Sequence, residues 1–421
     1  MKLFRSLKGL PLYIQIFIGM LLGIVVGFVG VKLNGGPFIS EWITPFGRLF
    51  IRLLQLIAIP LIFVSLIKGV TAIGDIKKFA GVGVKVVGIY MATTLVAVLV
   101  GLALALVIRP GKVIDASKLD SIRAEYGVKA EVTQVQEAAK ERKMLSFLEE
   151  IVPSNIIAAM SDNQKTLQVI FFAMLMGAAA ISLGQDKVGT VLKLIDDLYS
   201  VILKMVDYII VLAPYGVAAL MAGLVVDFSG DVSVFAALGL YALTVIMGLF
   251  ILMLVFYPGL IALFGKFKYG EFIKAMYPVQ LIAFTTSSSA AALPFNLENV
   301  QKVLGVSKQT ATFVLPIGAT INMDGTSCYQ TIAVLFIAQV LGIDLSFMQI
   351  ITIIFMTVLS SIGTPAIPGG SYVILTMVLA AVGIPTEALA LILGVDRPLD
   401  MLRTSVNVTG DATVCMIVDK K

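Results

Sequence analysis

The stretch Gly394-Val-Asp396-Arg397-Pro-Leu-Asp400-Met-Leu-Arg403-Thr404-Ser-Val-Asn407-Val-Thr-Gly-Asp411 lies in a segment otherwise apolar enough to cross a bilayer. At 100° per residue, Asp396, Asp400, Arg403, Asn407 and Asp411 fall within an arc of roughly 80° on one helix face. Ionisable groups at membrane depth are costly unless paired, solvated or ligand-bound, so this polar stripe points to an ion or substrate path. Its three aspartates and one arginine leave a formal charge of −2 on the face, which bound cations or a substrate ammonium would neutralise. Asp400 and Arg403, three residues apart, could instead pair with each other. The functional alternative is that Arg403 forks onto a substrate carboxylate while Asp400 takes an ammonium.

Composition sets the frame for that stripe. Of 421 residues, 59% are hydrophobic and 14% charged, against roughly 25% charged in a soluble domain. The chain reads as an all-α polytopic membrane protein with about eight spans and some shorter hydrophobic pieces. The net charge of +5 does not imply nucleic acid, because the basic residues mostly sit where spans meet water. Residues 1–8 carry three positive charges and no acid, which predicts a retained first span with a cytoplasmic N-terminus. Cys328 and Cys415 stand in apolar surroundings and imply no disulfide framework. The absence of histidine removes Ser-His and Cys-His catalysis and most zinc sites, so an enzyme is not expected.

Long apolar spans are expected at about 11–33, 43–70, 82–109, 165–185, 189–226 and 233–265. A charged insert at about 110–150 reads as a solvated loop with a short helix. Beyond Lys266 and Lys268 the segments become short and broken. Apolar arms at about 271–300 flank Thr285-Thr286-Ser287-Ser288-Ser289, and arms at about 348–382 flank Ser360-Ser361-Ile362-Gly363-Thr364-Pro365-Ala366-Ile367-Pro368-Gly369-Gly370-Ser371. Two such breaks, each followed by a polar-striped helix, form the repeated pattern of re-entrant hairpins in a secondary transporter; helical hairpins with ordinary loops are the alternative.

Gly318-Ala-Thr320-Ile-Asn322-Met323-Asp324-Gly325-Thr326 interrupts an apolar stretch at about 311–341. Asn322 and Asp324 are two residues apart, about 200° on a helix, so a continuous helix cannot aim both at one point. The helix is expected to unwind there, freeing carbonyls that suit a hard monovalent cation; a kink with a capping Asn is the other reading. Tyr90, Thr93 and Thr94 could supply oxygen ligands or interhelical hydrogen bonds.

These motifs, with Ser361-Ile362-Gly363-Thr364 and Pro368-Gly369, closely resemble the glutamate transporter family. These are the sodium- or proton-coupled dicarboxylate and amino acid symporters of bacteria and archaea, with animal excitatory amino acid transporters as relatives. The resemblance covers nearly the whole chain. It implies eight transmembrane helices, two re-entrant helical hairpins arranged with inverted repeats, a homotrimer, and an elevator mechanism. By that likeness, 1–81 and 151–226 form scaffold helices 1, 2, 4 and 5. Residues 82–110 form transport-domain helix 3, 111–150 a polar loop, and 227–421 the rest of the transport domain.

The resemblance also implies roles. Ser288, between Ser287 and Ser289, and Asn407 would hold the substrate α-carboxylate, Asp400 its ammonium, and Arg403 with Thr326 its side-chain carboxylate. Thr404 would line the pocket, and the hairpin tip at Pro368 and Gly369 would gate it. Gly318, Asn322, Asn407 and Asp411 look like one sodium site, and Thr320, Ser361, Ile362 and Thr364 like a second. Tyr90, Thr93, Thr94, Asn322 and Asp324, with Met323 in the same segment, look like a third. Many members carry an arginine where this chain has Thr286 or Met401, and Arg397 is expected to substitute in part.

The resulting expectation is a multi-pass cytoplasmic-membrane symporter for aspartate or glutamate, with sodium ions co-transported and no nucleic acid partner. The rivals are a proton-coupled glutamate, C4-dicarboxylate or cystine symporter, and an anion channel.

Overall fold

The computed structural model describes residues 12–76, 82–114, 152–162, 165–227, 232–264, 268–362, 364 and 370–419, and they carry helices and no strand. Residues 1–8, the insert from 115 onward, Lys266, Pro368 and Gly369 lie outside the described residues.

Helix α1 (Leu12–Lys32) is followed by α2 (Thr44–Ile76), which continues a short helical lead-in from Gly36. Then come α3 (Val82–Ile108), α4 (Thr166–Leu183), α5 (Gln185–Ile210) and α6 (Ala213–Asp227). Among the described residues, four helical stretches are each long and apolar enough to cross a membrane, Ile14–Lys32, Gly36–Thr71, Lys85–Val113 and Ser233–Leu263. The apolar segment expected as an ordinary span at 189–226 is present but broken: α5 and α6 together pass the length and hydropathy of a span and are bent by 51° at the join. The physical reason lies at the join, where Pro214 in the first turn of α6 has no N–H to continue the hydrogen-bond ladder of α5.

Helices α1, α2, α4, α5 and α6 pack on one another. The approach of α1 to α6 is backbone to backbone. Added Cβ atoms at Gly19 and Gly23 would collide with the carbonyls of Pro214 and Ala218, and one at Gly27 would lie 2.5 Å from Val225 Cβ. Small residues four apart allow this in a membrane, where close van der Waals packing holds helices together. The outer face of α1 presents Phe17, Leu21, Leu22, Val25 and Val29 to the surroundings. That is the face a lipid-contacting helix requires.

The second group begins with α7 (Val232–Phe250), continued through a wider helical turn (Ile251–Phe256) into α8 (Tyr257–Leu263). The two expected hairpins follow as α9 (Tyr269–Thr286) with α10 (Ser289–Lys302), and α13 (Phe347–Ser361) with α14 (Gly370–Ala381). Their arms of 18, 14, 15 and 12 residues are at or below the length of a full span. Ser287 adopts the left-handed conformation (φ 49°) and Ser288 caps α10 by accepting from the Ala291 N–H, which turns the first hairpin. The second hairpin is stapled at its base by one residue. Gln349 completes a capping box with Ser346, while its amide Nε2 donates to the Val382 carbonyl at 2.8 Å.

Between the hairpins lie α11 (Lys308–Ile321) and α12 (Asp324–Val340), and α15 (Ala390–Val418) closes the chain. Helices α11 and α12 are interrupted at Asn322 and Met323, so the expected unwinding is present. Helix α15 is continuous and packs against α9, α10, α11 and α12, with Asp396, Asp400, Arg403, Asn407 and Asp411 all buried. A buried polar stripe within an apolar core, with large apolar residues exposed on the outer faces, fits a multi-pass membrane protein.

Candidate functional site

The site is built where the break in α11/α12 meets the polar face of α15, with α3 and α8 behind it. Backbone contact sets the register. A Cβ at Gly325 would lie 2.6 Å from the Arg403 carbonyl oxygen, so the first turn of α12 seats directly on α15. Asn407 stitches the two elements: its Oδ1 accepts from the Gly325 N–H at 2.8 Å, and its Nδ2 lies 3.4 Å from Thr326 Oγ1 and 3.3 Å from Met323 Sδ.

The charges of the stripe divide differently from the sequence expectation. Arg403 is fully buried and donates both Nη groups to the Asp396 carboxylate, each at 3.0 Å. Its Nη2 also reaches Asp400 Oδ1 at 2.9 Å, and its guanidinium lies 3.8 Å over the Tyr329 ring. Arg397 Nη1 donates to Asp400 Oδ2 at 2.9 Å. Asp396, Arg397, Asp400 and Arg403 therefore form a neutral buried tetrad. The expected −2 on the face omitted Arg397 and is corrected to −1, because Arg397, beside the stripe, reaches into it.

Two buried carboxylates of this site stand outside the tetrad. Asp324 and Asp411 are 0% and 2% exposed, and among the described residues neither has a lysine or arginine within salt-bridge distance. Their partners are neutral. Thr94 Oγ1 donates to Asp324 Oδ1 at 2.6 Å and Asn322 Nδ2 to Asp411 Oδ1 at 2.9 Å, while the Asn322 Oδ1 oxygen has no hydrogen-bond partner. A Cβ at Gly318 would collide with both Asp411 Oδ1 and the Tyr90 hydroxyl, so Tyr90, Gly318, Asn322 and Asp411 converge. Thr93 bonds back to the Tyr90 carbonyl at 3.0 Å. Two anions with amide and hydroxyl oxygens around them are a donor set for hard monovalent cations.

Other sequence candidates are placed less tightly. Thr320 is exposed and bonds to the Ile317 carbonyl of its own helix, Ser361 to Val358, and Thr364 to Ser360. No hydrogen bond among the described residues joins Thr320 to Ser361, Ile362 or Thr364. Thr404 bonds back to the Asp400 carbonyl, Ser287 and Ser289 are buried, and the Ser287 hydroxyl has no partner. Thr286 is exposed at the first hairpin tip.

Several contacts were missed in the sequence. Asp396 belongs to the stripe by spacing, but its pairing with Arg403, seven residues or two helical turns on, was not assigned although that spacing allows it. Gln280 and Asn296 fasten the first hairpin to α15 through Thr409 Oγ1 (3.0 Å) and the Val408 carbonyl (3.1 Å). Tyr257, which donates to Asp324 Oδ2 at 2.7 Å, carried no sequence signal.

The model of the sodium:dicarboxylate symporter family matches residues 12–421. The chain is 34% identical over 409 residues to the proton/sodium-glutamate symport protein of Bacillus subtilis (strain 168), covering 96% of this chain and 91% of that protein. It is 32% identical to the C4-dicarboxylate transport protein of the same organism, over 100% of this chain and 94% of that one. It is also 32% identical to excitatory amino acid transporter 3 of Oryctolagus cuniculus, over 99% and 86% respectively.

Proposed function

The chain belongs to the sodium:dicarboxylate symporter family, and we propose that it couples inward sodium flux to uptake of aspartate or glutamate across the cytoplasmic membrane. The observation that carries this reading is the pair of unmatched buried carboxylates, Asp324 and Asp411, flanking the unwound segment that Asn407 holds. Two sodium ions would neutralise them, and Asn407, touching both the break and the substrate face, would link ion occupancy to substrate affinity. In the remaining cation site, Thr320, Ser361, Ile362 and Thr364 would gather around a further ion.

Arg403 supports the acidic substrate. Its Nε has no partner and shares the side edge of the guanidinium with one Nη. A substrate carboxylate forked onto that edge would release Asp400 for the ammonium. Ser288 and Asn407 would take the α-carboxylate, Thr326 would assist Arg403, Thr404 would line the pocket, and Pro368 and Gly369 would close it. A second reading draws on the same tetrad. Both Asp400 oxygens are held by arginine nitrogens, an arrangement that suits a C4-dicarboxylate lacking an ammonium.

Sodium-driven uptake separates these readings. Proteoliposomes with an inward sodium gradient at clamped pH should accumulate labelled aspartate, and unlabelled succinate should compete poorly. Uptake indifferent to sodium but driven by a proton gradient would overturn the coupling, and stronger competition by succinate would overturn the substrate. The same purified protein should run as a trimer by light scattering. Exposed Val191, Leu194, Leu198, Val201, Met205 and Tyr208, at alternating three- and four-residue intervals, offer the apolar seam that copies would cover.

In an elevator, α3 and α7–α15 would move past α1, α2 and α4–α6. Small and adaptable residues at the contact favour sliding: Gly69 abuts the Ile362 carbonyl, and Met20 and Met221 sulfurs abut Gly394. Oxidising the double variant Met221→Cys/Gly394→Cys should stop transport by at least about tenfold while leaving aspartate binding intact. Transport through the oxidised cross-link would exclude motion across this contact.

A further inference from the structure

We propose that Tyr257 is a positioning residue of the Asp324 cation site, a role that rests on the cation reading above. Its hydroxyl donates to Asp324 Oδ2 at 2.7 Å while Thr94 holds Oδ1 at 2.6 Å, so each carboxylate oxygen has one short hydroxyl donor. Both tyrosine and aspartate are fully buried. Two neutral donors fix the orientation of the carboxylate and favour its ionised form without cancelling its charge. The charge stays available to a cation, which a lysine or arginine in the same place would repel.

The helix that carries Tyr257 is shaped to deliver it. Between α7 and α8 the backbone widens over Ile251–Phe256, and Tyr257 is the first residue after that turn. The extra residue in a wide turn shifts the downstream helix face by about 100°, and such turns recur at functional sites. Pro258 follows and has no N–H for the Leu254 carbonyl; the Tyr269 hydroxyl bonds that carbonyl instead. The wide turn is thus held from outside by the first hairpin arm.

The tyrosine hydroxyl also marks the junction of three elements. A Cβ at Gly410 would lie 2.8 Å from the Tyr257 hydroxyl and 2.8 Å from Asn322 Nδ2, so α15 leaves room for both by having no side chain there. Tyr257 touches Asp324, and Asn322 touches Asp411, across this one gap. Helix α8 thereby becomes the back wall of the cation region.

The test is a sodium titration of labelled-aspartate binding to purified full-length protein, with choline replacing sodium at constant ionic strength. In Tyr257→Phe the sodium concentration for half-maximal binding should rise about tenfold, the loss expected for one hydrogen bond to a charged group. Aspartate affinity at saturating sodium should stay within about twofold of the parent, since the substrate residues are untouched. A sodium curve superimposed on the parent's would overturn the proposal. Equal losses in sodium and aspartate affinity would overturn it too, because they would mark a general structural defect. Asp324→Asn in parallel tests the reading beneath: an unchanged sodium curve there would overturn the cation site itself. Loss in Asp324→Asn with none in Tyr257→Phe would overturn only the role of the tyrosine.

Discussion

Arg403→Ala should abolish aspartate binding, with affinity falling at least about 100-fold, because truncating one partner of a buried charge pair costs about 2–5 kcal/mol. The geometry makes the loss double. The substitution removes the fork proposed to take the substrate carboxylate. It also strips Asp396 of its bidentate partner and Asp400 of one of its two donors, leaving buried negative charge uncompensated. Loss of folding could mimic loss of binding, so Arg403→Lys is the informative companion. Lysine keeps the charge but cannot hold Asp396 bidentately or stack on the Tyr329 ring in the same way. It should bind aspartate at least about tenfold more weakly while unfolding near the parent temperature in a thermal scan. Undiminished aspartate binding by a folded Arg403→Lys or Arg403→Ala protein would remove Arg403 from the substrate pocket.

Asp411→Asn should raise the sodium requirement for aspartate binding by about 10- to 100-fold, the penalty for replacing a buried anionic ligand by a neutral isostere. Shape is preserved. The amide can still bond to Asn322, which sits 2.9 Å from Asp411 Oδ1, so the break between α11 and α12 should keep its form. What changes is charge: with Asp411 neutral, one of the two carboxylates flanking the break is gone. The dependence of binding on sodium should therefore become shallower as well as weaker, since one fewer cation is needed for neutrality. Isothermal titration with aspartate at a series of sodium concentrations reads both quantities. An unchanged sodium titration would move the cation elsewhere.

These two substitutions lie on one helix face, yet the structure assigns them to different tasks. Asp396, Arg397, Asp400 and Arg403 close their charges among themselves, whereas Asp411 joins Asp324 from another helix. A bound acidic amino acid would open the first group, and bound cations would complete the second. Asn407 lies between them, bonded to the Gly325 N–H beside Asp324.

A helical membrane protein with two broken hairpins is legible in the local pattern of the chain. Hydropathy and span length are local properties, and the serine-rich turn, the Asn322–Asp324 interruption and the stripe of α15 all follow from spacing along one segment. Family membership was legible for the same reason, since Asn322-Met323-Asp324-Gly325-Thr326 and the α15 motif are contiguous runs. The bend between α5 and α6 was not, because hydropathy averaged over 189–226 passes over the single interruption at Pro214. Tertiary structure alone decided which charges cancel and which remain. By spacing Asp396 lies in the stripe and Arg397 beside it, but their partners depend on the rotation of long side chains in a packed interior. Gly325 lets the first turn of α12 seat on the α15 backbone, Gly410 leaves room for the Asn322 and Tyr257 side chains, and Tyr257 reaches Asp324 across 67 residues of chain. Such contacts between separate helices carry no periodicity for a sequence to display, so docking sets them.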